Sequence, residues 1–164
     1  MNSASRGAKI LRLFPAFCGF SILKSLPWFF FPISLPAQEV WAGSIKSVEG
    51  TASIRRGAQS LPVAEGMRLM QNDVVLTGAG GRVGAILKDG TRFSLGPETE
   101  LKIDRFLYNP GEGKFDLVLG LLRGIAVFIS GKIAEFSPES VRVETPVGIV
   151  GLRGTRFAVA LEQP

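Results

Sequence analysis

The chain has 164 residues, with 19 basic and 14 acidic side chains, a single cysteine and no histidine. Without a second thiol or any imidazole, the sequence excludes a disulfide framework, a cysteine/histidine zinc site and catalysis by a histidine base. We therefore expect a protein that is not an enzyme and that holds no cofactor and no metal.

The first 37 residues differ in composition from the rest. They contain four basic residues but no acidic residue, and two apolar runs at 13–23 and 26–35. Lys24 and several prolines divide the apolar stretch into pieces of about ten residues, shorter than the roughly 20 that a membrane-spanning helix needs. Residues 1–37 are therefore predicted to be a cleaved signal peptide rather than a permanent anchor.

Two positions fit cleavage of this leader, after Ala37 and after Ala42, because small residues stand where a leader peptidase requires them. Lipidation at Cys18 is disfavoured, since Phe17 precedes it where a small residue is expected. The expected location is periplasmic or secreted. The alternative is a protein anchored in the inner membrane by an uncleaved leader.

Removal of the leader leaves fifteen basic side chains against fourteen acidic ones. This balance lacks the electrostatic footprint of a nucleic-acid-binding protein. The adjacent pair Arg55-Arg56 is expected to be solvated at the end of a strand. We therefore predict no nucleic-acid partner.

From Ile45 onward, short apolar and β-branched runs alternate with Gly, Pro and Asn/Asp turn signals. This regular spacing predicts one all-β domain at 43–161, built of short antiparallel strands and hairpins as a β-sandwich or a short solenoid-like stack. Gly120 and Gly124 indicate a bend between two of the strands. The strands are predicted at about 44–49, 51–56, 73–77, 82–88, 91–95, 100–105, 115–119, 124–129, 141–144 and 155–161.

Three segments share a charged residue, a glycine and a threonine that lead into alternation: Glu49-Gly50-Thr51, Asp89-Gly90-Thr91 and Arg153-Gly154-Thr155. Glycine supplies the positive φ that a two-residue hairpin turn requires, and the threonine re-enters a strand. Each segment is therefore interpreted as a tight hairpin, with Asp89-Gly90 the clearest and the other two as turns or bulges. Residues 78–81 are interpreted as a flexible connection.

Four charged side chains are candidate site residues: Glu98, Glu100, Asp89 and Arg153. Glu98 and Glu100 lie two apart and share a face if that stretch is a strand, which suits a cation site or acid–base chemistry, although solvated strand residues explain them equally. Asp89 suits calcium, but its ordinary role is to form the turn. Arg153 is expected to satisfy backbone carbonyls or a carboxylate such as Glu144 rather than to wait for an anionic ligand.

An ordered set of motifs runs from about Gly43 to Leu161. It resembles the FecR domain family, named for the periplasmic part of an iron-citrate signalling regulator. The motifs are Gly50 in an opening V-x-G-x-x-x-x-R segment, Gly66 followed by Asn72-Asp73, Asp89-Gly90-Thr91-x-Phe93, Leu122-x-Gly124, and Thr145-Pro146 leading to Gly151-x-Arg153-Gly154-Thr155-x-Phe157. The resemblance implies a structural or partner-binding role for Asp73, Asp89, Gly90, Thr91, Thr145, Pro146, Gly151, Arg153, Gly154, Thr155 and Phe157.

Family members that regulate sigma factors carry a cytoplasmic helical segment and a membrane span before the domain, and a further domain after it. Here an export-type leader precedes the domain and the sequence stops at Pro164. The expected function is therefore an exported, non-catalytic binding module of the cell envelope, with a sensory role, that meets a protein or glycan partner. The alternatives are a signalling regulator that acts with a separately encoded membrane partner, or a truncated member of that family.

Overall fold

The computed structural model describes residues 40–151 and 156–161. The predicted leader at 1–37 lies outside these residues. Strands make up 64% of the described chain and helix only a few residues, so the prediction of an all-β domain is confirmed. The elements are β1 (Trp41–Glu49), β2 (Ala52–Arg56), β3 (Gln59–Pro62), β4 (Arg68–Met70), β5 (Val74–Thr77), β6 (Arg82–Leu87), β7 (Arg92–Leu95), β8 (Glu100–Asn109), β9 (Lys114–Ile129), helix α1 (Lys132–Phe136), a 3-10 turn (Pro138–Ser140), β10 (Val141–Thr145), β11 (Gly148–Gly151) and β12 (Arg156–Leu161).

The strands form one curled sheet in the order β3-β2-β5-β8-β9-β7-β6-β1-β4, with β10 and β12 also paired to β9, and β11 paired to β10. The sheet curls into a half-barrel. Neighbouring strands are antiparallel, as predicted, except that β10 runs parallel to β9. The exception arises because α1 and the 3-10 turn lie between β9 and β10, and only such a longer crossover permits parallel pairing.

The sheet has two halves that meet at β9. One half contains β1, β4, β6, β7 and β12, and the other contains β2, β3, β5, β8, β10 and β11. The first part of β9 pairs with β8 and β10, and its last part pairs with β7 and β12. Gly124 stands at the change of partners with φ +84°, and a Cβ there would lie 2.6 Å from the Cα of Thr99. The predicted bend is therefore present, but the strand continues through it, so the two strands predicted at 115–119 and 124–129 are one.

The core lies on the inner face of the curled sheet, where alternate side chains of neighbouring strands meet. Phe93 and Phe128 are both fully buried there, with ring centroids 6.4 Å apart. Half-buried Phe157 of β12 stacks on Phe128 at 4.9 Å. Phe157 therefore fastens the last strand to the core, since such aromatic pairs stabilise beyond the area that they bury.

The predicted hairpin at Glu49-Gly50 is wrong. Strand β1 pairs with β6 and β4, whereas β2 pairs with β3 and β5. Gly50 has the expected positive φ of +66°, but it carries the chain from one half of the sheet to the other. A positive φ reverses the chain locally and does not decide which strand becomes the neighbour.

The hairpin at Asp89-Gly90 is confirmed, with a longer loop than predicted. The Leu87 carbonyl accepts from Gly90 N at 3.0 Å, and Leu87 N donates to the Thr91 carbonyl at 2.8 Å. The loop is therefore Lys88–Gly90, three residues, with Gly90 at φ +86° in the position that commonly closes such loops. The third segment, Arg153-Gly154, lies outside the described residues, and the strands on either side of it, β11 and β12, pair with β10 and β9.

The interpretation of residues 78–81 as a flexible connection is wrong. Gly78 N donates to the Thr51 carbonyl at 2.9 Å, and Gly81 N donates to the Gly78 carbonyl at 2.9 Å. Gly81 is buried, and a Cβ at this position would overlap the Thr51 carbonyl oxygen. The segment is a packed turn beneath the β1–β2 connection.

Candidate functional site

Strands β10 and β11 form a hairpin that we call the apolar hairpin, residues 141–151. Thr145 stands opposite Gly148, so the loop consists of Pro146 and Val147 alone. The Thr145 hydroxyl donates to the Gly148 carbonyl at 2.7 Å and accepts from Gly148 N at 3.1 Å. Thr145 and Pro146, both predicted as motif residues, thus shape this turn.

The apolar hairpin is anchored at its base and exposed at its tip. Val141 and Val143 of β10 are buried in the core. At the other end, Val147 is 85% exposed and Ile149 is 68% exposed, and Val150 also faces solvent. Aliphatic side chains grouped in this way on an exposed surface mark a candidate contact site for another molecule.

The outer edge of β11 adds a second property to this surface. Within the described residues, β11 pairs with β10 only. All four of its residues, Gly148–Gly151, are exposed. A strand at the edge of a sheet presents N–H and C=O groups that another extended chain can pair with. Gly151, another predicted motif residue, therefore lies on this edge.

Charged side chains link β10 to β9, and β9 to β8, at the base of the apolar hairpin. Arg142 lies 3.5 Å from Glu144 and 4.0 Å from Asp116, measured between nitrogen and carboxylate oxygen. Asp116 of β9 also pairs with Arg105 of β8 at 2.9 Å. These pairs are half-exposed, so each contributes little stability, but their network fixes the position of the hairpin base.

The Asp89-Gly90-Thr91 motif is a structural turn elsewhere in the fold. Both carboxylate oxygens of Asp89 are occupied, Oδ1 by Thr91 N at 3.1 Å and Oδ2 by the Thr91 hydroxyl at 2.6 Å. The Asp89 carbonyl accepts from Lys132 N at 2.8 Å, and Gly131 N donates to the Thr91 hydroxyl at 3.1 Å. Buried Asp89 therefore joins the β6–β7 turn to the start of α1, and its carboxylate forms the turn, which is its ordinary role.

An open cleft of about 550 Å³ lies beside this turn, lined by Asp89, Gly90, Ser130, Gly131, Lys132, Ala134 and Glu135. Its ionisable side chains other than the occupied Asp89 are one lysine and one glutamate. Within residues 40–151 and 156–161, no group of three metal-ligating side chains comes together.

Asp73, another predicted motif residue, is a fully buried carboxylate at the start of β5. Arg56 binds it with two hydrogen bonds of 2.7 Å, from Nε to Oδ1 and from a terminal nitrogen to Oδ2. The expectation that Arg55 and Arg56 are merely solvated is therefore wrong, because Arg55 also pairs with Glu100 at 2.7 Å. A planar guanidinium suits this bidentate geometry.

The suggestion of a shared carboxylate face at Glu98 and Glu100 is also wrong. Glu98 lies in a turn before β8, with φ +50°, whereas Glu100 is the first residue of the strand. Glu100 accepts from Arg55 and lies 3.5 Å from Arg123. Its role is to pair with arginines of β2 and β9.

Sequence reasoning missed a buried pair of threonines. The Thr77 hydroxyl donates to the Gly96 carbonyl at 2.7 Å and accepts from Thr99 N at 2.8 Å. The Thr99 hydroxyl accepts from Ile125 N at 3.0 Å and lies 3.1 Å from the Ile125 carbonyl. These bonds join β5, the turn before β8 and the bend of β9. The only signal in the sequence was that Thr77 ends the apolar run at 74–76, directly before Gly78.

The predicted motif residues therefore fall into separate elements. Thr145, Pro146 and Gly151 lie in the apolar hairpin, Asp89, Gly90 and Thr91 in the β6–β7 turn, and Asp73 beside Arg56. Phe157 packs on the core from β12. Arg153, Gly154 and Thr155 lie outside the described residues. Of these groups, the apolar hairpin alone combines exposure, apolar side chains and an open strand edge.

Comparison with protein families matches residues 73–164 to the family described as FecR protein, which is more than half of the chain. No curated protein and no solved structure matches it. Domains of this family are non-catalytic signalling domains and are typically periplasmic. Among the described residues, no helix has the length and apolar character needed to cross a membrane. The resemblance seen in the motifs is thus confirmed, and the chain belongs to the FecR family.

Proposed function

We propose that this protein is an exported, non-catalytic module of the bacterial cell envelope that binds a protein partner through its apolar hairpin. The observation that carries the proposal is the exposed tip formed by Val147 and Ile149, next to the open edge of β11. Export is supported by the acid-free leader and by the usual location of the family.

A protein partner suits this surface better than a glycan. The edge of β11 offers backbone donors and acceptors in the spacing of a strand, and an extended polypeptide binds such an edge by adding one more strand. Ile149 and Val150 point to opposite faces of the hairpin, so each can enter an apolar pocket on the partner. The glycan partner remains the competing outcome of the experiment below.

A second candidate function is that of a signalling regulator acting with a separately encoded membrane protein. Membership of the FecR family favours it, since domains of this family serve in signalling. The two candidates share the exported domain and differ in the partner: a membrane-embedded signalling protein identifies a regulator, and any other envelope protein identifies a separate binding module.

The test is capture of partners from envelope extract by the full exported chain, with mass spectrometry of what binds. Ile149→Lys places a charge on the exposed tip and should abolish capture of the partner while changing the melting temperature little. The matched control is Leu107→Lys, an exposed leucine on β8 that should leave capture intact. Equal capture by the parent and by Ile149→Lys would refute the hairpin as the binding surface. A bound component that resists protease treatment of the extract would identify a glycan instead.

A further inference from the structure

The first residues of β1 are built into the folded domain. The Val40 carbonyl accepts from Gln71 N at 2.8 Å, and the Ala42 carbonyl accepts from Lys88 N at 2.8 Å. Ala42 is fully buried and belongs to the hydrophobic core. The folded domain therefore includes residues that precede Gly43. Gly43 would be the first residue of the mature chain if the leader were cut after Ala42.

Trp41 adds side-chain contacts at the same point. Its indole Nε1 donates to the Gly43 carbonyl at 2.7 Å. Lys88 Nζ lies 4.3 Å from the centre of the ring, and the guanidinium carbon of Arg68 lies 4.8 Å from it. Both distances are typical of cation–π contacts, so Trp41 connects β1 to β4 and to the β6–β7 turn.

A cut after Ala42 would remove all of these interactions. It would also leave a charged amine on Gly43, a buried residue paired with Leu87 of β6 and Leu69 of β4. Burying an unpaired charge carries a large free-energy cost. A cut after Ala37 does neither, because it leaves Val40, Trp41 and Ala42 in place.

We propose that the leader is removed after Ala37, so that residues 38–42 remain in the mature chain and residues 40–42 complete its folded domain. The reaction is hydrolysis by a leader peptidase of the envelope: water adds across the Ala37–Gln38 peptide bond, leaving a carboxylate on Ala37 and an amine on Gln38. The inference rests on the proposed export. It chooses Ala37 over Ala42 because the folded domain uses the contacts of Val40, Trp41 and Ala42.

The test uses the full chain expressed in a Gram-negative host, with intact mass and N-terminal sequencing of the periplasmic protein. We expect a mature chain that begins at Gln38. Val40→Glu places a charge three residues before the competing bond at an exposed position, and it should leave the N-terminus at Gln38. Ala37→Phe removes the small residue before the proposed bond, and it should leave uncleaved chain in the membrane fraction.

A parent chain that begins at Gly43, or a folded periplasmic product beginning at Gly43 from Ala37→Phe, would overturn the inference. Uncleaved parent in the membrane fraction would overturn this cut and favour the inner-membrane anchor, which leaves the proposed export standing. An N-terminus at Gln38 together with unchanged capture by Ile149→Lys would support the cut and refute the hairpin as a binding surface. A fall of several degrees in melting temperature for Trp41→Ala, compared with Val40→Ala, would independently support retention of these residues.

Discussion

Arg56 and Asp73, 17 residues apart in sequence, form a bidentate ion pair in which both hydrogen bonds measure 2.7 Å. Asp73 also accepts from Met70 N at 2.8 Å, which closes the turn before β5, and Arg56 donates to the Arg68 carbonyl at 3.0 Å. The pair therefore connects β2 and the start of β5 to the β4 strand. In the strand order β2 and β5 lie near one end, and β4 lies at the other end.

Asp73→Ala should lower the free energy of unfolding by about 3 kcal/mol, because it leaves a guanidinium without its buried partner. The matched control is Glu49→Ala, which removes an exposed carboxylate 3.9 Å from Arg82 and should cost no more than about 0.5 kcal/mol. Urea denaturation of both variants measures the difference. Similar losses for the two would show that the Arg56–Asp73 pair contributes no more than a surface pair.

Gly81→Ala should destabilise the domain by more than about 2 kcal/mol, since the new Cβ overlaps the Thr51 carbonyl oxygen and the packed turn must shift. Gly80→Ala is the control, because a Cβ at that neighbouring position meets nothing within 4 Å. The melting temperatures of the two variants measure the difference, and Gly81→Ala should melt lower than Gly80→Ala. If Gly80→Ala melts lower than Gly81→Ala, the close approach of Thr51 does not limit this turn.

Thr99→Val keeps the shape of the side chain and removes its hydroxyl. We expect a loss of about 1–3 kcal/mol, because the partly buried Ile125 N–H loses the acceptor that the fully buried Thr99 supplies. Thr145→Val, at an exposed hydroxyl that water replaces, should cost clearly less. Chemical denaturation measures the free energy of unfolding of both variants, and hydrogen exchange measures the protection of the Ile125 amide in each. Unchanged protection of the Ile125 amide in Thr99→Val would argue against this hydrogen bond.

Arg153 lies outside the described residues, and its structural role stays a prediction. Arg153→Ala should lower the melting temperature by several degrees, as expected when a charged hydrogen-bond partner is lost. Arg153→Lys should restore stability only in part, since an ammonium lacks the planar fork. An Arg153→Ala variant that melts like the parent but captures no partner would instead assign residues 151–157 to binding.

Sequence patterns located the strands that have a partner on each side. The prediction of 82–88 corresponds to β6 at Arg82–Leu87, and that of 141–144 to β10 at Val141–Thr145. The short strands β3, β4 and β11 were missed. Within the described residues each lies at an edge of the sheet, and β3 and β4 carry polar residues such as Gln59 and Arg68, so neither of these two shows a full alternation. Helix α1 has only five residues, too few for a helical period to be visible.

The apolar hairpin shows why a contact surface is harder to predict than a strand. Its run of valine and isoleucine at 147–150 is the composition of a buried strand, yet the structure exposes it. Nothing local distinguishes the two cases, since exposure depends on which strand lies beyond β11. The pairing of Arg56 with Asp73 was missed for the same reason, because it depends on the order of strands across the sheet.

Strand β9 is hydrogen-bonded to β8 and β10 along one part and to β7 and β12 along the other, so neither half of the sheet can open without disturbing it. Its backbone amides, including those of the fully buried Leu119 in one half and Phe128 in the other, should therefore be among the slowest in the domain to exchange with solvent. A force or a denaturant acting on the domain should meet one cooperative barrier, with the slowest-exchanging hydrogens lying on both sides of Gly124 along a single strand.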